Sequence, residues 1–161
     1  MGTRCNVSII LSEQSTIILY RHWDGYPSET GADLARIATR SLTKTVNHWN
    51  DMIGFARAVM AKKRGGTDGN GRRTRDYNQS QYELTDSIHG DIEYHYSFKK
   101  TDYVNGSFFS VLVQDGNEET LFAGDLREFC EWVNKEIRET NARVRVRFPE
   151  AKPEPLLKVP N

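Results

Sequence analysis

The chain has 161 residues, 37% of them hydrophobic and 11% aromatic, with 22 Lys and Arg against 22 Asp and Glu. A formal net charge of zero excludes a global field that would draw nucleic acid, a membrane surface or an acidic partner, so electrostatic recognition has to be local. The length suits one domain, and aromatic residues spread along it indicate a packed core rather than a disordered chain.

Cys5 and Cys130 stand apart and belong to no CxxC pair, which excludes a finger-type zinc site. Two buried free thiols in a reducing compartment are expected. The start from Met1 to Asn6 has no apolar signal core, and no apolar run is long enough to span a bilayer. A soluble intracellular protein is expected.

Residues 4–11 and 16–23 read as two strands joined by a polar hairpin loop, Ser12 to Ser15. In the second strand, alternation sets Ile17, Leu19, Arg21 and Trp23 on one face and Ile18, Tyr20 and His22 on the other. Gly25 and Pro27 then turn the chain. Thr30 with Asp33 resembles a capping box, and Leu34, Ile37, Ala38 and Leu42 follow at helical spacing. A second helix, with Asn47 as its candidate cap, carries Trp49, Met52, Ile53, Ala56 and Met60 on one stripe, widened by Phe55 and Val59.

Residues 62–80 break the pattern. Four Gly and six basic residues against Asp68 and Asp76 predict an irregular, mobile basic loop. Strands are expected next at Tyr82–Ile88, from Asp91 to Phe98, at Ser107–Gln114 and at Glu119–Ala123. Asn105-Gly106 and Asp115-Gly116 are the turn signals. Both sides of the 107–114 strand are fairly apolar, which places it centrally in the sheet. Asp125 with Glu128 caps a last helix with the stripe Leu126, Phe129, Cys130, Val133 and Ile137. Asn141 reads as its stop, Ala142–Phe148 as an edge strand guarded by Arg143, Arg145 and Arg147, and the Pro-rich tail 149–161 as extended and poorly ordered. The pattern predicts a single α+β domain over 1–148. Its two layers are a mostly antiparallel sheet with an N-terminal hairpin, and two central helices with one C-terminal helix.

Site chemistry concentrates in Arg21-His22-Trp23-Asp24-Gly25-Tyr26-Pro27. Arg21 or His22 could meet an anion while Trp23 or Tyr26 stacks on a planar group, a combination that suits a nucleotide. Asp24 could accept from a sugar hydroxyl or fix the imidazole. The alternative is structural: aromatic residues in the core, Asp24-Gly25 forming the turn, and Arg21 paired with Asp24. Since Arg21 and His22 alternate, Arg21, Asp24 and Tyr26 are favoured over His22 as the set that meets a ligand. Arg72, Arg73 and Arg75 of the basic loop could clamp phosphates.

Of the four histidines, His22, His48, His89 and His95, the pair His22 and His95 could act as acid and base in metal-independent phosphodiester cleavage. His95-Tyr96-Ser97 fits the His-x-Thr/Ser pattern of two-histidine phosphodiesterases; His22-Trp23-Asp24 does not. No ligand spacing points to a metal, and P-loop, GxGxxG and GxSxG motifs are absent. No cofactor is expected.

The run from Leu19 to Pro27 resembles one found in small proteins of phages and prophages, where it also follows an N-terminal hairpin. The resemblance covers about the first forty residues and brings context without an activity. It implies an accessory protein in the host-cell cytoplasm that acts against host defence. The expected function is non-enzymatic binding of a nucleotide-like signal or a host defence protein. A phosphodiesterase and a protein–protein inhibitor with a purely structural turn are the alternatives, and homo-oligomerisation stays open.

Overall fold

The computed structural model describes residues 2–42, 50–103 and 106–160. Strands β1 (Cys5–Ser12) and β2 (Ser15–Arg21) form the N-terminal hairpin, with Ser12 opposite Ser15. The chain then makes a wide π-type turn over Pro27–Gly31 and runs through helices α1 (Ala32–Leu42) and α2 (Asn50–Met60). Strands β3 (Glu83–Thr85), β4 (Tyr94–Tyr103), β5 (Gly106–Asp115) and β6 (Thr120–Asp125) follow, and helix α3 (Leu126–Arg147) closes the order.

The six strands form one sheet in the order β3-β2-β1-β4-β5-β6. Every neighbouring pair is antiparallel except β1 with β4, which is parallel. The sheet is thus two antiparallel three-stranded halves joined along β1 and β4. The 107–114 strand, expected in the centre, lies one place from the β6 edge.

Register decides which side chains meet the helices. Cys5, Val7 and Ile9 of β1 stand beside Arg21, Leu19 and Ile17 of β2 and beside Tyr94, Tyr96 and Phe98 of β4. This face, continued by Val111 and Val113, is buried under the helices. Phe98 sits between Phe55 of α2 and Phe129 of α3, at centroid distances of 4.9 and 5.8 Å. Such aromatic pairs add about 0.5–1.5 kcal/mol each beyond the area they bury. On α2 the fully buried stripe is Met52, Phe55, Ala56 and Val59, with Ile53 and Met60 partly covered. Asn47, His48, Trp49 and Asn105 lie outside the described residues.

Several elements depart from the expected boundaries. β2 ends at Arg21 and leaves His22 and Trp23 in the turn, and the 82–88 strand shrinks to Glu83–Thr85. The expected edge strand at 142–148 is instead the end of α3. Alternating Val144 and Val146 give a strand pattern, but the helix started at Asp125 continues through them. Asn141 does not stop it, because its amide bonds to Glu154 of the tail. The tail itself is held against α3, with Leu157 buried.

Residues 62–81 fold back on themselves. Gln81 N–H donates to Lys62 O, Arg64 N–H to Gln79 O, Gly65 N–H to Tyr77 O and Asp68 N–H to Arg72 O. The Gly-rich stretch is a hydrogen-bonded finger. Gly65, Gly66 and Gly71 supply its left-handed backbone at φ 65°, 98° and 75°. No helix among the described residues is long and apolar enough to cross a membrane.

The α3 cap follows the expected pattern: Asp125 accepts from Glu128 N–H at 2.8 Å. Asp125→Ala should destabilise the fold by about 1 kcal/mol, the usual cost of losing an N-cap. Urea unfolding measures this, and Asp125→Asn should restore most of the loss.

Candidate functional site

Arg21 ends β2 on the helix-covered face and is 6% exposed. A guanidinium in that position needs acceptors all round. Its Nε donates to Trp23 O at 2.7 Å. Its Nη1 donates to Asp33 Oδ2 and to the Tyr82 hydroxyl, each at 3.3 Å. The guanidinium also lies 5.5 Å from the centre of the Tyr82 ring. Nη2 makes the loosest contact, 3.9 Å from Asp24 Oδ2. Burial opposes the charge on Arg21, but Tyr82 and Asp33 outweigh it and hold its pKa above the ordinary value. Beneath it the Cys5 thiol is pushed up to about 12, by burial first, with Arg21 opposing. Cys5 is therefore a core thiol and no nucleophile at neutral pH.

Asp33 is the second centre. Its Oδ1 accepts from Lys62 Nζ at 3.2 Å and pairs with Arg36 at 3.7 Å. The capping box expected from Thr30 and Asp33 is not made. Thr30 instead donates its hydroxyl to Asp24 O at 2.7 Å, and Asp33 turns to Arg21. A wide turn places Thr30 above the preceding loop, so the partners of both residues are non-local.

The turn from Trp23 to Tyr26 is bonded at each residue. Trp23 O is taken by Arg21, and Asp24 O by Thr30 through both hydroxyl and N–H. Gly25 N–H donates to Thr3 O at 2.9 Å, and Gly25 O accepts from the Tyr96 hydroxyl at 2.8 Å. Tyr26 O accepts from Glu29 N–H at 3.0 Å. Asp24 adopts the left-handed backbone, φ 59°, which Asp tolerates better than most residues. A Cβ at Gly25 would stand 3.0 Å from Thr3 O, so this close approach favours glycine.

The side chains of the turn separate. Trp23 is 62% exposed and rests its ring on Gly2, where any side chain would run into it. His22 meets Tyr20 edge-on at 4.6 Å and Glu83 at 4.0 Å. With Arg21 and Asp24 they line a pocket of about 280 Å³, to which the finger adds Arg64 and Gln81. The volume is near the lower bound for small-molecule sites. Arg64 is held by Ser80 O, Asp76 and Glu83. Gln81 Oε1 is buried without a hydrogen-bond partner. Two guanidinium groups are therefore offset by nearby carboxylates, and one amide carbonyl still requires a donor.

The pocket brings together Arg21, His22, Trp23 and Asp24, so the bend after β2 overrides the alternation that set Arg21 and His22 apart. Tyr26 is not part of it; its ring lies 6.2 Å from Tyr94. Arg72, Arg73 and Arg75 lie on the exposed outer part of the finger, with Arg73 stacked on Tyr77 at 4.6 Å. His95 sits on β4, its Nε2 2.7 Å from Ser8 Oγ and 3.5 Å from Ser97 Oγ. β1 lies between β4 and β2, which keeps the backbones of His22 and His95 about 10 Å or more apart. Among the described residues no group of three His, Cys, Asp or Glu side chains is placed to hold a metal ion.

Arg64, Gln81, Tyr82 and Asp33 went unread in the sequence as site residues. One signal was available: Arg21 shares a strand face with Ile17 and Leu19, and a cation on an apolar face requires a carboxylate partner. No protein-family model matches the chain, and neither a curated protein nor a solved structure matches it.

His95 gives a pH prediction. Burial lowers its pKa from the ordinary 6.5, with Glu118 opposing. The unfolded chain therefore takes up the proton first as pH falls, so the contribution is present above 6.5 and lost as pH falls towards the folded value. The difference in stability between wild type and His95→Gln should shrink from pH 7 to pH 5 in urea melts. An unchanged difference would contradict the assignment.

Proposed function

We propose that the chain is a non-enzymatic binding protein whose ligand is nucleotide-like. It seats a planar base on Trp23 and makes its polar contacts with Gln81, Asp24 and the guanidinium edge of Arg64. The observation that carries this reading is the 62% exposed Trp23 indole standing in one pocket with Asp24, Arg64 and Gln81. The balance of charge favours a ligand with both donors and acceptors over a bare polyanion. The resemblance of Leu19–Pro27 to phage and prophage proteins supplies the context: sequestering a host defence signal in the host-cell cytoplasm.

The inhibitor of a host protein is the second reading. It is favoured by the turn itself, whose carbonyls are all bonded while Trp23 and the 48% exposed Tyr26 stand outward as anchors.

Calorimetry against ADP-ribose and cyclic mono- and dinucleotides tests the first reading. At least one should bind, and Trp23→Ala should weaken it by about 1–3 kcal/mol, the value of one base–aromatic stack. Gln81→Met should weaken it further, while the fold survives in both variants. Silence across the panel would overturn the nucleotide reading and leave the inhibitor.

A further inference from the structure

Asn134 and Asn141 lie seven residues apart on α3, two turns, and so on one face. Each commits its whole side-chain amide to one residue of the C-terminal tail. Asn134 Nδ2 donates to Leu157 O at 3.0 Å and its Oδ1 accepts from Leu157 N–H at 2.6 Å. Asn141 Nδ2 donates to Glu154 O at 2.9 Å and its Oδ1 accepts from Glu154 N–H at 2.9 Å.

The spacing selects chain conformation. Seven helical residues advance about 10.5 Å, and three residues of polyproline-like chain advance about 9.3 Å. Only an extended segment keeps both amides in register. Each asparagine presents a donor and an acceptor to the backbone, as a strand edge does, so recognition reads backbone and leaves most side chains free. Pro153 and Pro155 flank Glu154, fix the extended φ and carry no N–H to leave unpaired. Leu157 is the apolar anchor, 8% exposed. Arg138, Ala142 and Arg145 line a hollow of about 240 Å³ beside Leu156 and Pro153.

The charge of the tail matches this surface poorly. Residues 138–147 carry Arg138, Arg143, Arg145 and Arg147 against Glu139, whereas the tail offers Glu150 and Glu154 together with Lys152 and Lys158. The link from Phe148 to Lys152 is exposed, so lifting the tail disturbs the core only where Leu157 and Val159 pack into it. We propose that this face of α3 is a docking groove for an acidic, proline-containing extended segment of a partner protein, held in reserve by residues 153–157 of the chain itself. A partner segment with more acid than the tail displaces it by charge, using the same two asparagines.

The probe is a fluorescent peptide with the sequence of residues 150–160 carrying Lys152→Glu and Lys158→Glu, titrated against the full-length protein by anisotropy. Wild type should bind it weakly, because the tail competes. Glu154→Pro in the full chain removes the N–H that Asn141 accepts, and should strengthen peptide binding about tenfold. Adding Asn134→Ala and Asn141→Ala should abolish binding, and raised salt should weaken it. Trypsin cleavage after Lys158, faster in Glu154→Pro, reports that the tail has lifted. If it is not faster, Leu157→Asp serves as the lifted variant, with circular dichroism as the control for folding. A lifted tail with no gain in peptide binding, or binding that survives loss of both asparagines, would overturn the proposal.

Discussion

A guanidinium that is 6% exposed must be matched by acceptors, because an uncompensated buried charge costs several kcal/mol. Arg21 meets this constraint by collecting four groups from three places in the chain: Trp23 O and Asp24 from the turn, Asp33 from α1, and Tyr82 from the foot of the finger. Asp33 in turn receives Lys62 and Arg36. The network ties the end of β2 to the first turn of α1 and to both ends of the finger, since Lys62 opens it and Tyr82 follows its last residue. Arg21 and Asp33 are the members with most partners, so the arrangement is held through them.

The same network fixes what the turn can present. Its carbonyls are bonded from Trp23 to Tyr26, and Arg21 spends most of its donors inward. What remains for a ligand are side chains held on a rigid base: the Trp23 ring, the His22 edge, Asp24, and the finger's Arg64 and Gln81. Pre-organisation of this kind lowers the entropic cost of binding. Arg21 is therefore a positioning residue, and the finger, tied to it through Tyr82 and Lys62, adds Arg64 and Gln81 to the lining.

Much of the fold was legible because it depends on local periodicity. The alternation in β4 and β5, the hairpin loop, the Asp125 cap and the Leu126–Ile137 stripe all follow from side chains seeking one apolar face. The misreadings share a cause in non-local partners. Val144 and Val146 alternate as in a strand, yet a helix already capped at Asp125 carries them, with Asn141 turned to the tail. Thr30 and Asp33 have the spacing of a capping box, but Asp24 O and Arg21 attract them more strongly. The site was half legible. The Arg21–Tyr26 stretch announced itself by composition, whereas Arg64 and Gln81 join it only through the fold-back of a Gly-rich segment whose pairing no periodicity reveals.

The central claim is that Arg21 and Asp33 act together to hold the turn, α1 and the finger in register. A double-mutant cycle in urea with Arg21→Met, Asp33→Leu and the double variant tests it most directly. Each single change should cost about 1.5–3 kcal/mol, the value of a hydrogen bond to a charged group, because Asp33 keeps Lys62 and Arg36 and Arg21 keeps Trp23 O and Tyr82. The double variant should fall short of the sum by about 2 kcal/mol or more. Single effects that add within about 0.5 kcal/mol would show two independent residues, and would contradict the account.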